Sequence, residues 1–335
     1  MIYLTLGRAV AQSGSALRWG CRGREFKSRR PDQFLYFVVN PRMKKIKIGW
    51  LGVGVMGSSM AMHFLNAGYP LSVYSRTRSK AHALEKKGAQ WKENPALVAE
   101  DSDVIFSMLG YPNDVESVLL GENGVVEGIE PGSMMIDMTT SSPELAARIE
   151  FKMIEKKARS MDAPVSGGDR GARDASLAIM CGGDRKSFYQ VLPLLQVLGK
   201  EIAWIGPAGS GQQAKMANQI LIASTMVGTV EALLYGERAN LDLEQLIEVL
   251  SKGAAGCWSL VNLAPRMLKE DWQPGFYIKH FIKDMKIALE DAERMGIDLP
   301  GLELAAQFYE KAKIQGLEEK GTQALLQVLR SMNQK

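Results

Sequence analysis

Lys215 and Asn218, three positions apart, are the first candidates for chemistry in this 335-residue chain. At that spacing both side chains fall on one face of a helix. The stretch from Lys215 to Ala239 has few helix breakers and many small and apolar residues, so it is expected to form a long, largely buried helix. A lysine on an apolar helix face is costly to bury unless it has a partner or a task. Burial and the positive end of a helix both disfavour the ammonium form and bring its pKa toward neutrality. Such a group can exchange a proton with a substrate hydroxyl. The alternative is a lysine whose stem lies on apolar surface while its ammonium reaches water.

A second candidate group is Ser166-Gly167-Gly168, which follows Asp162-Ala163-Pro164-Val165. Small residues after a strand leave backbone N–H groups and one hydroxyl free for a carboxylate or phosphate; a plain turn is the alternative. The third is Gly52-Val53-Gly54-Val55-Met56-Gly57, a G-x-G-x-x-G run between an apolar segment, Ile46 to Leu51, and a helix-compatible one, Ser58 to Leu65. That is the context of a dinucleotide-binding fingerprint. Gly52 permits the tight turn, Gly54 lets the backbone approach a pyrophosphate, and Gly57 lets the helix pack on the strand. The first helical N–H groups then face the phosphates.

About 20 residues on, such folds carry an acid for the ribose 2′-hydroxyl of NAD. The segment after Leu71-Ser72-Val73-Tyr74 instead reads Ser75-Arg76-Thr77-Arg78-Ser79-Lys80. Guanidinium groups and hydroxyls suit a 2′-phosphate. NADP is therefore the expected cofactor, with NAD possible as a second; a solvated basic turn is the alternative reading.

The elements that must position these residues can be read in order. Strands are expected at Leu71–Tyr74, Val104–Leu109, Met134–Met138, Leu177–Gly183 and Glu201–Ile205, alternating with helices. Asn94-Pro95 and Ser142-Pro143 each place a capping residue before a proline at the first helical position. This pattern indicates an α/β, Rossmann-like doubly wound parallel sheet. Gly206-Pro207-Ala208-Gly209-Ser210-Gly211 marks a boundary, beyond which helices are expected near 242–251, 257–268, 279–295, 299–315 and 322–333. The expected division is 43–206 for the NADP-binding Rossmann domain and 207–335 for an all-helical domain serving substrate binding and assembly.

Composition bounds the function further. Hydrophobic residues make up 46% and charged residues 23% of the chain, ordinary values for a globular protein. Cys21, Cys181 and Cys257 are widely spaced, and His63, His82 and His280 form no ligand pattern, so no metal is expected. No apolar run is expected to reach bilayer-spanning length, and a membrane partner is not expected. The net charge of +4 is concentrated at the start: residues 1–42 hold eight basic residues against Glu25 and Asp32, leaving −2 on the remainder. No basic stripe remains for nucleic acid. The opening 42 residues resemble a translated transfer-RNA gene, so a start-site artefact with a natural start at Met43 is expected. A mitochondrial transit peptide is the alternative, which would change the expected location from cytoplasm to mitochondrial matrix.

Four motifs in this order resemble the β-hydroxyacid dehydrogenase family. They are the fingerprint Gly52–Gly57, the run Asp162 to Gly168, Gly209-Ser210-Gly211 with Lys215 and Asn218, and Phe276 followed by Lys283-Asp284. The resemblance covers nearly all of 43–335. It implies that Ser166, Gly167 and Gly168 hold the substrate carboxylate, that Lys215 is the acid/base and that Asn218 orients the substrate. It also implies that Lys283 lies near the nicotinamide and that Met108, Leu109 and Thr140 line the cofactor cleft. A homodimer or homotetramer acting on a small hydroxy acid or semialdehyde follows from the same resemblance. Gly167-Gly168 with Gly171-Ala172-Arg173 is most similar to the 3-hydroxyisobutyrate group, and Lys215 to Gln219 to the tartronate semialdehyde group. Ser75-Arg76-Thr77 is similar to the succinic semialdehyde/glyoxylate reductases that prefer NADP. A non-catalytic dinucleotide-binding module and an imine reductase on a similar fold are the rival readings.

Overall fold

The computed structural model of the protein describes residues 46–333. The expectation for residues 1–42 lies outside the described residues.

The central sheet is built on β1 (Ile48–Leu51), every residue of which is buried. Its side chains alternate between two cores. Ile48 and Trp50 join one cluster with Val73, Phe106 and Ile136, while Leu51 joins a second with Ile105, Val115, Met135 and Ile149. A strand buried on both faces has no polar side to alternate with, which is why it reads as a continuous apolar run. The other strands are β2 (Leu71–Tyr74), β3 (Gln90–Trp91), β4 (Val104–Ser107), β5 (Met134–Asp137), β6 (Arg159–Asp162), β7 (Val165–Ser166), β8 (Leu177–Gly183) and β9 (Gly199–Gly206). Their order is β3-β2-β1-β4-β5-β6-β8-β7, with β9 beside β8. The first six are parallel. This is the dinucleotide-binding order, and its reversal falls between β1 and β4, where such sheets open a crevice at the carboxyl ends of the strands. β8 runs antiparallel to β6 and β7 and parallel to β9.

Local chemistry fixes the helix starts. Asn94 Oδ1 accepts the Leu97 N–H at 2.9 Å, and Ser142 Oγ accepts the Leu145 N–H at 3.1 Å, each ahead of a proline in the first turn. Past Gly206 the long helix runs Ser210–Arg238, beginning five residues before the expected Lys215. Gly209 caps it at φ +89°, a conformation that suits glycine. The expected helix at 257–268 is two short ones, Trp258–Asn262 and Ala264–Leu268, because Pro265 starts a new first turn. The expected strand at Val104–Leu109 stops at Ser107, so Met108 and Leu109 lie beyond its carboxyl end.

Ser210–Arg238 also corrects the expectation about apolar runs. It has 29 residues and contains an 18-residue window of mean hydropathy 1.3, enough by length and composition to cross a bilayer. Its apolar character has another physical source: Met216, Ala223, Met226, Val230 and Leu233 pack into the core of the helical part. Helices Ile278–Met295 and Pro300–Ile314 pack along it, and all described residues fall within one compact unit.

Candidate active site

The glycine turn shows the geometry from which its spacing follows. Gly52 has φ +97°, and a Cβ there would strike the Met108 carbonyl oxygen and sit 2.9 Å from Leu109 Cδ2. A Cβ on Gly57 would run into the Gly52 carbonyl oxygen. A Cβ on Gly54 would meet nothing within 4 Å, so its backbone faces open space at the carboxyl end of β1. The following helix, Val55–Asn66, has no side-chain cap and no acid in its first turn. Its first N–H groups and positive end are thus left for an anion, as a pyrophosphate requires. These residues fit a dinucleotide.

Beside this turn, Leu109 donates its N–H to Thr139 Oγ1 at 2.9 Å, and Thr139 is held in turn by Asp137 Oδ1 at 3.0 Å. Asp137 also accepts from Ser107 Oγ at 2.7 Å. Burial raises the carboxyl pKa of Asp137, against those hydrogen bonds. Gly52, Met108, Leu109 and Thr139 are therefore brought together at the carboxyl ends of β1, β4 and β5, with Thr140 next in the chain.

The helices close the other side. Lys283, on helix Ile278–Met295, donates to the Thr140 carbonyl at 2.6 Å and pairs with Asp284 Oδ1 at 3.0 Å. Asp284 is 1% exposed, and its Oδ2 accepts Gln219 Nε2 at 2.7 Å. Gln219 Oε1 accepts Asn218 Nδ2 at 2.8 Å. Lys215, one turn before Gln219, is 6% exposed. Among the described residues no hydrogen bond or ion pair engages its ammonium. Burial is the main cause that brings its pKa down to about 8; Lys283 pushes the same way and Asp284 opposes.

Ser166, Gly167 and Gly168 form a separate corner. Ser166 ends β7, Gly167 and Gly168 have φ +130° and +61°, and a Cβ on Gly168 would lie 3.0 Å from the Gly275 carbonyl oxygen. No hydrogen bond joins Ser166 to Lys215 or Asn218 among the described residues. Arg76 and Thr77, just past the carboxyl end of β2, are exposed, and Ser75 beside them is buried.

Several residues of this site were not singled out from spacing. Asp162 accepts the N–H of Gly209 and of Gln212, both at 2.8 Å, and so fixes the start of the lysine-bearing helix. Gln212 Nε2 donates to the Thr139 carbonyl at 2.8 Å, and its Oε1 accepts the Ser141 N–H at 2.9 Å. Gln219 was legible in principle, since it lies four residues from Lys215 on the same helix face.

Residues 47–206 match the model for the NAD binding domain of 6-phosphogluconate dehydrogenase. Residues 209–329 match the model described as NAD-binding of NADP-dependent 3-hydroxyisobutyrate dehydrogenase. The chain is 51% identical over 283 residues to the oxidoreductase YkwC of Bacillus subtilis (strain 168), covering 84% of this chain and 98% of that one. It is 36% identical over 287 residues to 2-hydroxy-3-oxopropionate reductase of Escherichia coli (strain K12), covering 86% and 98%. A solved structure of Mycobacterium tuberculosis 3-hydroxyisobutyrate dehydrogenase with L-serine is similar with a TM-score of 0.79 and 26% identity, covering 86% of this chain and 100% of that one. The glycine turn at the β1/β4 crevice, the buried lysine and these relatives agree: the chain belongs to the β-hydroxyacid dehydrogenase family of NAD(P)-dependent oxidoreductases.

Proposed function

We propose that this enzyme interconverts a small β-hydroxy acid and its semialdehyde, with 3-hydroxyisobutyrate as the substrate type and NADP as the preferred cofactor. One observation carries the reading. Among the described residues Lys215 is buried without an ion pair, with a pKa of about 8, one turn before Gln219, which bonds the neighbour of Lys283. A structural lysine would be paired or would reach solvent. A lysine near neutrality can give a proton and take it back.

A dinucleotide held by its pyrophosphate at the glycine turn would supply or accept the hydride through its nicotinamide. Lys215 Nζ gives its proton to the carbonyl oxygen as negative charge develops there during reduction, and takes it from the hydroxyl during oxidation. The Ser166 hydroxyl and the backbone of Gly167 and Gly168 hold the substrate carboxylate, and Asn218 orients the reacting group. Val53, Val55 and Met56 present the backbone N–H groups of the turn to the pyrophosphate. Met108, Leu109, Thr140 and Lys283 line the nicotinamide side, while Ser75, Arg76 and Thr77 receive the 2′-phosphate. Residues 43–206 serve as the cofactor part and 207–335 as the substrate and assembly part, acting in the cytoplasm.

A homodimer or homotetramer is supported by the outer face of the long helix, where Ala217, Leu221, Ser224, Gly228 and Tyr235 form an exposed stripe. A tartronate semialdehyde reductase, favoured by Gln219 beside Asn218, or a succinic semialdehyde/glyoxylate reductase, favoured by Ser75-Arg76-Thr77, is the second reading. The test is kcat/KM for a panel of small semialdehydes and hydroxy acids with NADPH and NADH in turn. Turnover of 3-hydroxyisobutyrate above the other acids supports the first reading; no turnover of any member sinks both.

A further inference from the structure

Arg76 Nη1 donates to Asp114 Oδ1 at 3.3 Å, although the two residues follow strands that are not neighbours in the sheet. Arg76 follows β2 by two residues. Asp114 stands in the first turn of helix Pro112–Leu120, after β4. β1 lies between β2 and β4 in the sheet, and its carboxyl end carries the glycine turn. The ion pair therefore spans the crevice above that turn, one partner on each bank.

The two side chains are not equally fixed. The Arg76 side chain is 87% exposed and among the described residues makes this one ion pair, whereas Asp114 is 33% exposed. The neighbouring Arg78 is engaged differently: Glu85 accepts from it at 3.2 Å, and its guanidinium lies 5.5 Å from the centre of the Trp91 ring. Arg76 is thus the guanidinium of this turn whose partner comes from the opposite bank.

We propose that Asp114 is a specificity-determining residue for the cofactor and acts through Arg76; this rests on the reading of Arg76 as the 2′-phosphate ligand. A guanidinium gives a phosphate its full benefit through two parallel N–H bonds. While Asp114 holds Arg76, one of those donors is committed elsewhere, and the carboxylate adds repulsion toward a dianion. A cofactor with a free 2′-hydroxyl makes no such demand. The pair consequently narrows the margin by which NADP is preferred to NAD, without touching the reacting atoms.

The test uses the full chain and four proteins: wild type, Asp114→Asn, Arg76→Ala and the double variant. Binding of 2′,5′-ADP and 5′-AMP is read by calorimetry, and binding of NADPH and NADH by nucleotide fluorescence, at low ionic strength. Asp114→Asn should tighten 2′,5′-ADP and NADPH by about 1.5- to 5-fold, the range an exposed ion pair supports, with no tightening of 5′-AMP or NADH. The gain should vanish in the Arg76→Ala background and shrink with added salt. If Arg76→Ala weakens 2′,5′-ADP binding while Asp114→Asn changes nothing, the proposal fails and the NADP reading stands. A gain that persists without Arg76 also overturns it. If Arg76→Ala leaves 2′,5′-ADP binding unchanged, the NADP reading falls and takes this proposal with it.

Discussion

The carboxylate of Asp162, the last residue of β6, accepts the backbone N–H of Gln212 at 2.8 Å, three residues before Lys215. Its other oxygen accepts the Gly209 N–H at 2.8 Å. A sheet strand thereby caps the helix that carries Lys215, the proposed acid/base, so the position of Lys215 is set from the cofactor-binding part of the fold. Gly182 and Gly211 leave room for this approach: a Cβ on Gly182 would lie 2.6 Å from Asp162 Oδ1, and one on Gly211 would strike the Met180 carbonyl oxygen.

Asp162→Ala should destabilise the fold by about 2–4 kcal/mol, since two buried N–H groups lose their acceptor. The pH dependence is a separate signature. Burial pushes the Asp162 carboxyl up to about 6 from 3.8, against the two backbone hydrogen bonds. A carboxyl with a raised folded pKa takes up a proton on folding between those values. Its contribution to stability is thus fullest below pH ~4 and is lost as pH rises through about 6. That loss is at most about 3 kcal/mol. Asp162→Asn should remove that part of the slope. Urea unfolding at pH 4, 5, 6 and 7 measures it, and an unchanged slope in Asp162→Asn would assign the titration to another group.

Gly57→Ala and Gly54→Ala should separate folding from cofactor binding. A Cβ at 57 meets a backbone carbonyl that no rotamer can move, so melting should fall by the equivalent of about 1–3 kcal/mol or more. A Cβ at 54 meets no protein atom within 4 Å, so melting should hold while NADPH affinity drops. Thermal melts and NADPH fluorescence titration on both variants decide it. Equal loss of stability at both positions would mean that Gly54 is structural.

The parts of the fold legible in sequence were those dictated by local physics. β1, β4 and β5 are buried on both faces and show as apolar runs, and the Asn94-Pro95 and Ser142-Pro143 caps are local hydrogen bonds. β3 and β7 have two residues each and leave no periodicity to read. The long helix begins five residues before Lys215, a start that Gly209 and Gly211 mask in the sequence because glycines resemble helix breakers. In the structure one is a left-handed cap and the other a close-packing position. The burial of Lys215 followed from its apolar surroundings. Its electrostatic company did not, because Asp284 reaches it from a helix 65 residues beyond Gln219; the Arg76–Asp114 pair, across 38 residues, was hidden for the same reason.

Lys215→Ala should abolish turnover while NADPH still binds, because the glycine turn and Arg76 lie on other elements. Losing a positioned proton donor should lower the rate by about 10²–10⁴-fold. Lys215→Arg should not rescue it, since a guanidinium keeps its proton at any working pH. In the wild type, reduction needs the ammonium form and should fall as pH rises through about 8, whereas oxidation needs the amine and should rise through the same value. Near-wild-type kcat in Lys215→Ala would place the donor elsewhere.

Asp284→Asn should shift that pH profile without ending catalysis. Asp284 favours the charged form of Lys215, in opposition to burial and to Lys283. Removing its charge leaves only the two causes that lower the Lys215 pKa, so the midpoint for reduction should move below about 8. The same change breaks the pairing with Lys283, which still keeps the Thr140 carbonyl at 2.6 Å as an anchor. Stability should fall as well, because an ammonium that is 12% exposed loses its counter-charge. The two effects can be told apart. A structural loss lowers melting and the amount of active enzyme but leaves the shape of kcat against pH unchanged. A tuning role moves the midpoint in the protein that remains folded. The measurement is kcat for semialdehyde reduction with NADPH from pH 6 to 10, together with melts over the same range. A midpoint that stays put, or moves up, would show that Asp284 does not set the proton affinity of Lys215.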